Sequence, residues 1–208
     1  MPLIIFQHIL EERGKLMVWH ATESTAELRE RFARLFPDHA IPAIKLEKRE
    51  REYIIGRLLL HLALPSHEMT FLDNGKPVLD GRWHMSLSHS TELVALVVAD
   101  VPVGLDLQAP DPKLLRIAPK YCSQKELEWI GSLNHPLEGA LSIWSAKEAV
   151  FKIFGQGIEF AEDMETRMHL PSQSTFHLHY KGMHGNFLFE MVQLNVRKAQ
   201  LIYTALLD

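Results

Sequence analysis

Apolar residues in this chain fall into short runs separated by charged or turn-forming residues, and the period of each run predicts an element. Residues 3–10 (LIIFQHIL) and the segment from Gly14 to Ala21 (GKLMVWHA) flank the charged stretch EERG and predict a strand pair. Thr22-Glu23-Ser24-Thr25 then offers N-cap residues for a helix running through Phe36, which Pro37-Asp38 ends. A second, longer helix is predicted from about Pro42 to Leu64; it begins charged (KLEKRERE), ends apolar (YIIGRLLLHLAL) and is stopped by Pro65. Asp73-Asn74-Gly75 marks a turn leading into Lys76-Pro77.

Three strands follow, His84–Ser88, Leu93–Ala99 and Val103–Gln108, and the middle one (LVALVVA) is apolar enough to be a central buried strand. Leu114–Tyr121, Gln124–Leu133 and Leu137–Phe154 read as helices. STFHLHY, NFLFEMVQLN and AQLIYTALL read as antiparallel strands joined by KGMHG and VRK. This order of strands, helices, strands, helices and strands is an α+β pattern without βαβ alternation. No repeat is visible in the residues. A boundary near Asp100–Pro102 divides the chain into halves at 1–100 and 101–208.

Composition narrows the class. The 208 residues are 47% apolar, which supports a substantial core and excludes a disordered chain. A formal net charge of −4 argues against a general nucleic-acid binder, while leaving room for a local basic patch around a small phosphorylated ligand. Cys122 is the single cysteine, so neither an internal disulfide nor a thiolate zinc site is available, which fits a reducing cytosol. The start MPLIIFQHILEERG lacks the basic opening of a signal peptide, and no apolar run reaches the ~18 residues of a membrane span. The expectation is a cytoplasmic protein with no membrane partner.

Three segments carry candidate chemistry. Met85-Ser86-Leu87-Ser88-His89-Ser90 sets small hydroxyls around a histidine at a strand end. In Val103–Gln108, strand alternation puts Gly104, Asp106 and Gln108 on one face, with open space expected at Gly104; read alone, this is a solvated strand face. In Trp144–Lys152 (WSAKEAVFK), a turn of ~100° per residue gathers Ala146, Ala149, Val150 and Ile153 into an apolar arc and stacks Glu148 with Lys152 on the other side. Alone, that pair is an ordinary i,i+4 surface ion pair contributing ~0.3–0.5 kcal/mol. Trp144 and Phe151 flank it, and such aromatics point instead to a cleft.

SLSHS, VGLDLQ and WSAKEAVFK, in this order and spacing, resemble the 4′-phosphopantetheinyl transferase superfamily, in its longer Sfp-type branch. The family pattern is Gly-x-Asp-x-(Glu or another polar residue), followed here about forty residues later by Trp-(Ser)-x-Lys-Glu-(Ser/Ala)-x-x-Lys, which is matched at every defining position. The likeness reaches upstream to Lys48-Arg49 and to Gly75-Lys76-Pro77 and covers roughly residues 45–160.

The resemblance implies a fold and a reaction. The fold is a pseudo-dimer of two α+β halves, each a small antiparallel sheet with a long helix, and the site lies in the cleft between them. The reaction transfers 4′-phosphopantetheine from coenzyme A to a serine of an apo acyl or peptidyl carrier protein and releases 3′,5′-ADP. Asp106 and Glu148 would hold Mg²⁺, with Mn²⁺ as a substitute, and Gln108 stands where many members carry a third acid. Glu148 would also take the serine proton. Lys152 would neutralise the leaving phosphates, and Lys147 matches the motif's other lysine.

The resemblance assigns Arg49, Lys76, Ser88 and His89 to the phosphates of coenzyme A, with Arg51 and Arg57 as alternatives to Arg49. Read without their neighbours, His89 is a strand-end histidine, Arg49 part of a solvated charge run and Lys76 a turn lysine. The other histidines show no HExxH spacing. A chain holding both halves is expected to work as a monomer. Two other classes stay open: a non-catalytic binding module for coenzyme A or carrier protein, and an Mg²⁺-dependent hydrolase, which usually needs more acids.

Overall fold

A computed structural model describes residues 2–73, 75–167 and 172–207; Asn74 of the expected turn lies outside them. The chain divides into two compact units, Met1–Asp100 and Val101–Asp208.

In the first unit, β1 (Leu3–Ile9) and β2 (Gly14–His20) form the expected antiparallel pair. α1 (Thr25–Leu35) starts at a capping box: the Ser24 hydroxyl accepts from the Glu27 amide, and the Glu27 carboxylate accepts from the Ser24 amide. After α2 (Glu47–Ala63) come the short hairpin strands β3 (Thr70–Phe71) and β4 (Pro77–Val78), then β5 (His84–Ser90) and β6 (Leu93–Ala99). The sheet runs β1-β2-β6-β5, antiparallel throughout, and all seven residues of the internal strand β6 are buried. Met17, Trp19, Val94, Leu96 and Val98 pack with Leu28, Phe32, Ile54, Leu58 and Leu59 in one apolar core.

α2 begins five residues later than its pattern predicts. Ile41 packs onto the same core, and Leu46 is extended at the N-cap position. Burying that isoleucine outweighs the helix preference of the next few residues. The helix then starts where its acids reach α1: Thr25 Oγ1 donates to Glu47 (2.5 Å), and Arg29 binds Glu50 bidentately at 2.6 and 2.8 Å.

The second unit opens with β7 (Val103–Gln108), followed by α3 (Lys113–Ile117), a 3₁₀ turn at Ala118–Lys120, α4 (Gln124–Ser132) and α5 (Pro136–Phe154). α6 (Phe160–Asp163), β8 (Met164–Thr166), β9 (Thr175–Gly182), β10 (Gly185–Val196) and β11 (Ala199–Ala205) complete it, in the sheet order β7-β11-β10-β9-β8. Ala146, Ala149, Val150 and Ile153 of α5, the arc read from the sequence, pack on Phe176, Leu178, Met191 and Ile202. Another side of α5 packs Ala140, Leu141 and Ile143 on Leu114, Tyr121 and Ile130, so the helix is buried along most of its girth. Gly155 ends it in the left-handed conformation (φ 88°).

Both units are antiparallel α+β structures with a long helix, as the pattern predicts. They also share a connectivity that the residues do not reveal. β2 leads through helices to β5 and β6, and β6 inserts between β2 and β5; β7 leads through helices to β10 and β11, and β11 inserts between β7 and β10. No helix among the described residues is long and apolar enough to cross a membrane.

Candidate functional site

In the second unit the site grows from a close approach of strand and helix. A Cβ built on Gly104 would lie 1.8 Å from the carbonyl oxygen of Ala149, so β7 touches the backbone of α5 at a position only glycine can fill. The space expected beside Asp106 is therefore taken by the helix, and the face carrying Gly104 and Asp106 is not a solvated one. Asp106 is 6% exposed. Lys152 Nζ donates to Asp106 Oδ1 at 2.9 Å and to the Leu105 carbonyl at 2.8 Å, so the motif lysine reaches across from α5 to β7.

Glu148 sits one helical turn before Lys152 and is half-buried. Burial pushes its carboxyl above the usual carboxylate range; the Asp106 charge pushes the same way, and Lys152 opposes both. Two carboxylates and an ammonium thus share one electrostatic neighbourhood, the arrangement that perturbed acids at functional sites show. Gln108 ends β7 half-buried, and its amide nitrogen donates to the Ala109 carbonyl at 2.9 Å.

This donor set suits a hard cation. Among the described residues no cluster of three or more histidine, cysteine, aspartate or glutamate side chains could hold a metal ion. Asp106 and Glu148 supply the one or two carboxylates that Mg²⁺ takes, water and phosphate oxygens completing its octahedron, and Gln108 shares the strand face of Asp106. Zinc would require more nitrogen or sulfur.

Trp144 and Phe151, expected to wall a cleft, converge on Phe160 at ring-centroid distances of 5.9 and 5.6 Å, and Trp144 also meets Tyr121 edge-on at 5.0 Å. Beneath them Lys147 is fully buried. Its ammonium donates to Glu126 Oε2 (2.7 Å) and to the carbonyls of Tyr121 (2.7 Å), Phe160 (2.9 Å) and Met164 (2.8 Å). Burial pushes its pKa down, and Glu126 holds it up. Glu126, also fully buried, accepts in addition from the amides of Ser123 and Thr166. The sequence announces Glu126 only as the last residue of a capping box at Ser123, which it also is.

In the first unit, Gly56 lets β5 approach α2: a Cβ there would stand 3.2 Å from Leu87. Two residues along the strand, His89 faces the same helix. Arg49 Nη1 donates to His89 Nε2 at 2.9 Å, so the structure brings these two predicted residues together. Between them sits Glu52, an acid the sequence hides within the charge run Lys48–Glu52. Its carboxylate lies 3.1 Å from His89 Nδ1 and 3.2 Å from Arg49 Nη1. Arg51 is tied to the Ala21 carbonyl, and Arg57 stacks over the Tyr53 ring at 3.5 Å.

Ser88 is buried and, by strand alternation, points to the opposite face of β5 from His89. Lys76 is half-buried in the turn between β3 and β4, where burial lowers its pKa. It bears on His84 at the far end of β5 from His89: burial first, then the Lys76 charge, pushes His84 down. Arg49 and His89 form one cluster, then, and Lys76 belongs to another neighbourhood.

Residues 102–204, about half of the chain, match the family model of the 4′-phosphopantetheinyl transferase superfamily. A 4′-phosphopantetheinyl transferase of Bacillus pumilus is 33% identical over 143 residues, 62% of this chain and 60% of that protein. One of Aneurinibacillus migulanus is 30% identical over 112 residues, 51% of this chain and 47% of that protein. A third, of Bacillus subtilis, is 25% identical over 150 residues, 61% and 66% of the two chains. Each alignment spans less than two thirds of the relative's own length.

Proposed function

The chain belongs to the 4′-phosphopantetheinyl transferase superfamily, and on that footing we propose that it transfers 4′-phosphopantetheine from coenzyme A to a serine of an apo acyl or peptidyl carrier protein. The observation that carries this reading is the acid pair Asp106 and Glu148, drawn together where α5 packs on Gly104 and bridged in charge by Lys152.

Asp106, Glu148 and Gln108 would hold Mg²⁺ or Mn²⁺. When bound, the ion supplies Lewis-acid neutralisation of the pyrophosphate oxygens. The serine Oγ bonds to the phosphorus that carries the pantetheine arm, and the bond from that phosphorus to the bridging oxygen breaks. 3′,5′-ADP departs with the bridging oxygen and its electron pair. Glu148 receives the serine proton, a task its raised proton affinity supports. Lys152, paired with Asp106 at 2.9 Å, offers positive charge to the departing phosphate.

In the first unit, the Arg49 and His89 cluster would bind a donor phosphate, and Lys76, in its separate neighbourhood near His84, would meet another. The shared connectivity of the two units supports the pseudo-dimer plan, and the presence of both residue sets on one chain supports action as a monomer.

The test is mass spectrometry of apo acyl and apo peptidyl carrier proteins incubated with this protein, coenzyme A and Mg²⁺. Conversion of at least one carrier to its holo form is expected, and excess EDTA should prevent it. If every carrier stays apo under these conditions, the transferase reading fails.

A further inference from the structure

The residues read as a phosphate clamp already surround an anion. Glu52 is 9% exposed, and its two carboxylate oxygens lie 3.1 Å from His89 Nδ1 and 3.2 Å from Arg49 Nη1, with Lys48 Nζ at 3.9 Å. Arginine only donates, so the 2.9 Å contact makes His89 Nε2 an acceptor and leaves the ring proton on Nδ1, where it is given to Glu52. Both ring nitrogens of His89 are then engaged within the protein. The three side chains close a ring in which each touches the other two.

The charge count follows. Two cations, Lys48 and Arg49, face one carboxylate, and the histidine in this tautomer adds nothing. A binding site for a doubly charged phosphate would ordinarily present cations and N–H donors without an acid among them. Glu52 cannot readily withdraw: it lies one turn before Gly56 on the helix face against which β5 packs.

Taking the transferase reading as its basis, we infer that Glu52 is a specificity-determining residue, a built-in counter-anion that an incoming donor phosphate must displace from Arg49 and His89. Its presence weakens the grip of this cluster on phosphate and makes the protein tolerant of donors that lack the phosphate bound there. Glutamine at this position keeps the shape and an acceptor oxygen while removing the charge that repels the ligand.

The experiment is calorimetric titration of 3′,5′-ADP, at low ionic strength, into the wild-type chain and the Glu52→Gln, Glu52→Ala and Arg49→Ala variants. Removing the acid should tighten 3′,5′-ADP by about tenfold in both Glu52 variants, a change of about 1.4 kcal/mol. Arg49→Ala should weaken it. If Glu52→Gln binds as the wild type does, or more weakly, Glu52 is an orienting partner of His89 and the inference is overturned; Glu52→Ala decides the matter should the glutamine variant not fold. If Arg49→Ala also binds unchanged, the cluster is no phosphate site and the inference fails, whatever the carrier-protein assay shows. If Glu52→Gln tightens 3′,5′-ADP but no carrier protein is converted, the anion site stands and the transferase reading alone is lost.

Discussion

Gly104 and Ala149 meet backbone to backbone: the carbonyl oxygen of Ala149 occupies the place where a side chain on Gly104 would begin. That contact sets the spacing between β7 and α5, and so the distance from Asp106 to Glu148 and Lys152. Gly104→Ala should force the two elements apart. Overpacking of this kind costs ~1–3 kcal/mol, and carrier-protein modification should fall with it because Glu148 and Lys152 are moved away from Asp106. Urea denaturation and the transfer assay read the two effects; wild-type values in both would show that the contact relaxes freely.

Lys147 and Glu126 form a fully buried ion pair at 2.7 Å. Removing one partner of such a pair strands a charge and costs ~3–5 kcal/mol, whereas removing both costs less. Lys147→Met should therefore be strongly destabilised in chemical denaturation, and Lys147→Met combined with Glu126→Gln should recover part of the loss. An additive double variant would mean that the lysine acts mainly through the carbonyls of Tyr121, Phe160 and Met164.

Glu148→Gln should lower transfer by at least ~100-fold, the smaller end of what a positioned proton acceptor contributes. The same change should raise the melting temperature of the metal-free protein at neutral pH. The folded-state pKa of Glu148 lies above its unfolded value of 4.5, so ionising it in the folded chain costs stability, and that cost appears as pH rises. The gain should shrink on acidification, when the wild-type carboxyl is protonated as well. A melting temperature below wild type at neutral pH would contradict the burial argument.

Gln108→Glu should increase the apparent Mg²⁺ affinity in the transfer assay. A carboxylate cannot donate to the Ala109 carbonyl as the amide does, so it loses that tie, and it adds a negative charge on the strand face of Asp106. An unchanged metal requirement would exclude position 108 from the metal's surroundings.

Cys122 is buried, and its thiol is pushed up to about 12, chiefly by burial and then by Glu126. It should resist iodoacetamide in the folded protein and react only as the chain unfolds. The thiol's folded pKa exceeds its ordinary value of 9.0, so its contribution to stability is whole below pH 9.0 and fades as pH climbs towards 12. The stability difference between wild type and Cys122→Ala should narrow over that range. Rapid labelling at neutral pH in the folded state would show the pocket to be open.

Much of this molecule was decided locally. The strands β1, β2, β5, β6 and β7 follow short segments that could be read from the sequence, β6 as a continuous apolar run and β7 by its alternation. α1 begins where a Ser-x-x-Glu box satisfies its first amides, and α5 is long and apolar enough to be named from its residues. The acids Asp106 and Glu148 and the lysine Lys152 could be picked out because their motifs are contiguous and ordered along the chain.

Other features depend on residues distant in sequence. α2 starts late because Ile41 is drawn to a core that no window around residue 42 contains. Lys152 turns to Asp106, forty-six positions away, and Lys147 finds its carboxylate in Glu126, twenty-one positions away. Glu52 meets His89 only because Leu87 of β5 packs close to Gly56 of α2. Propensity and period act over a few neighbouring residues, so the sequence by itself determined the elements and the chemical groups. Charge pairing and burial act through space, so only the tertiary structure decided which of those groups meet.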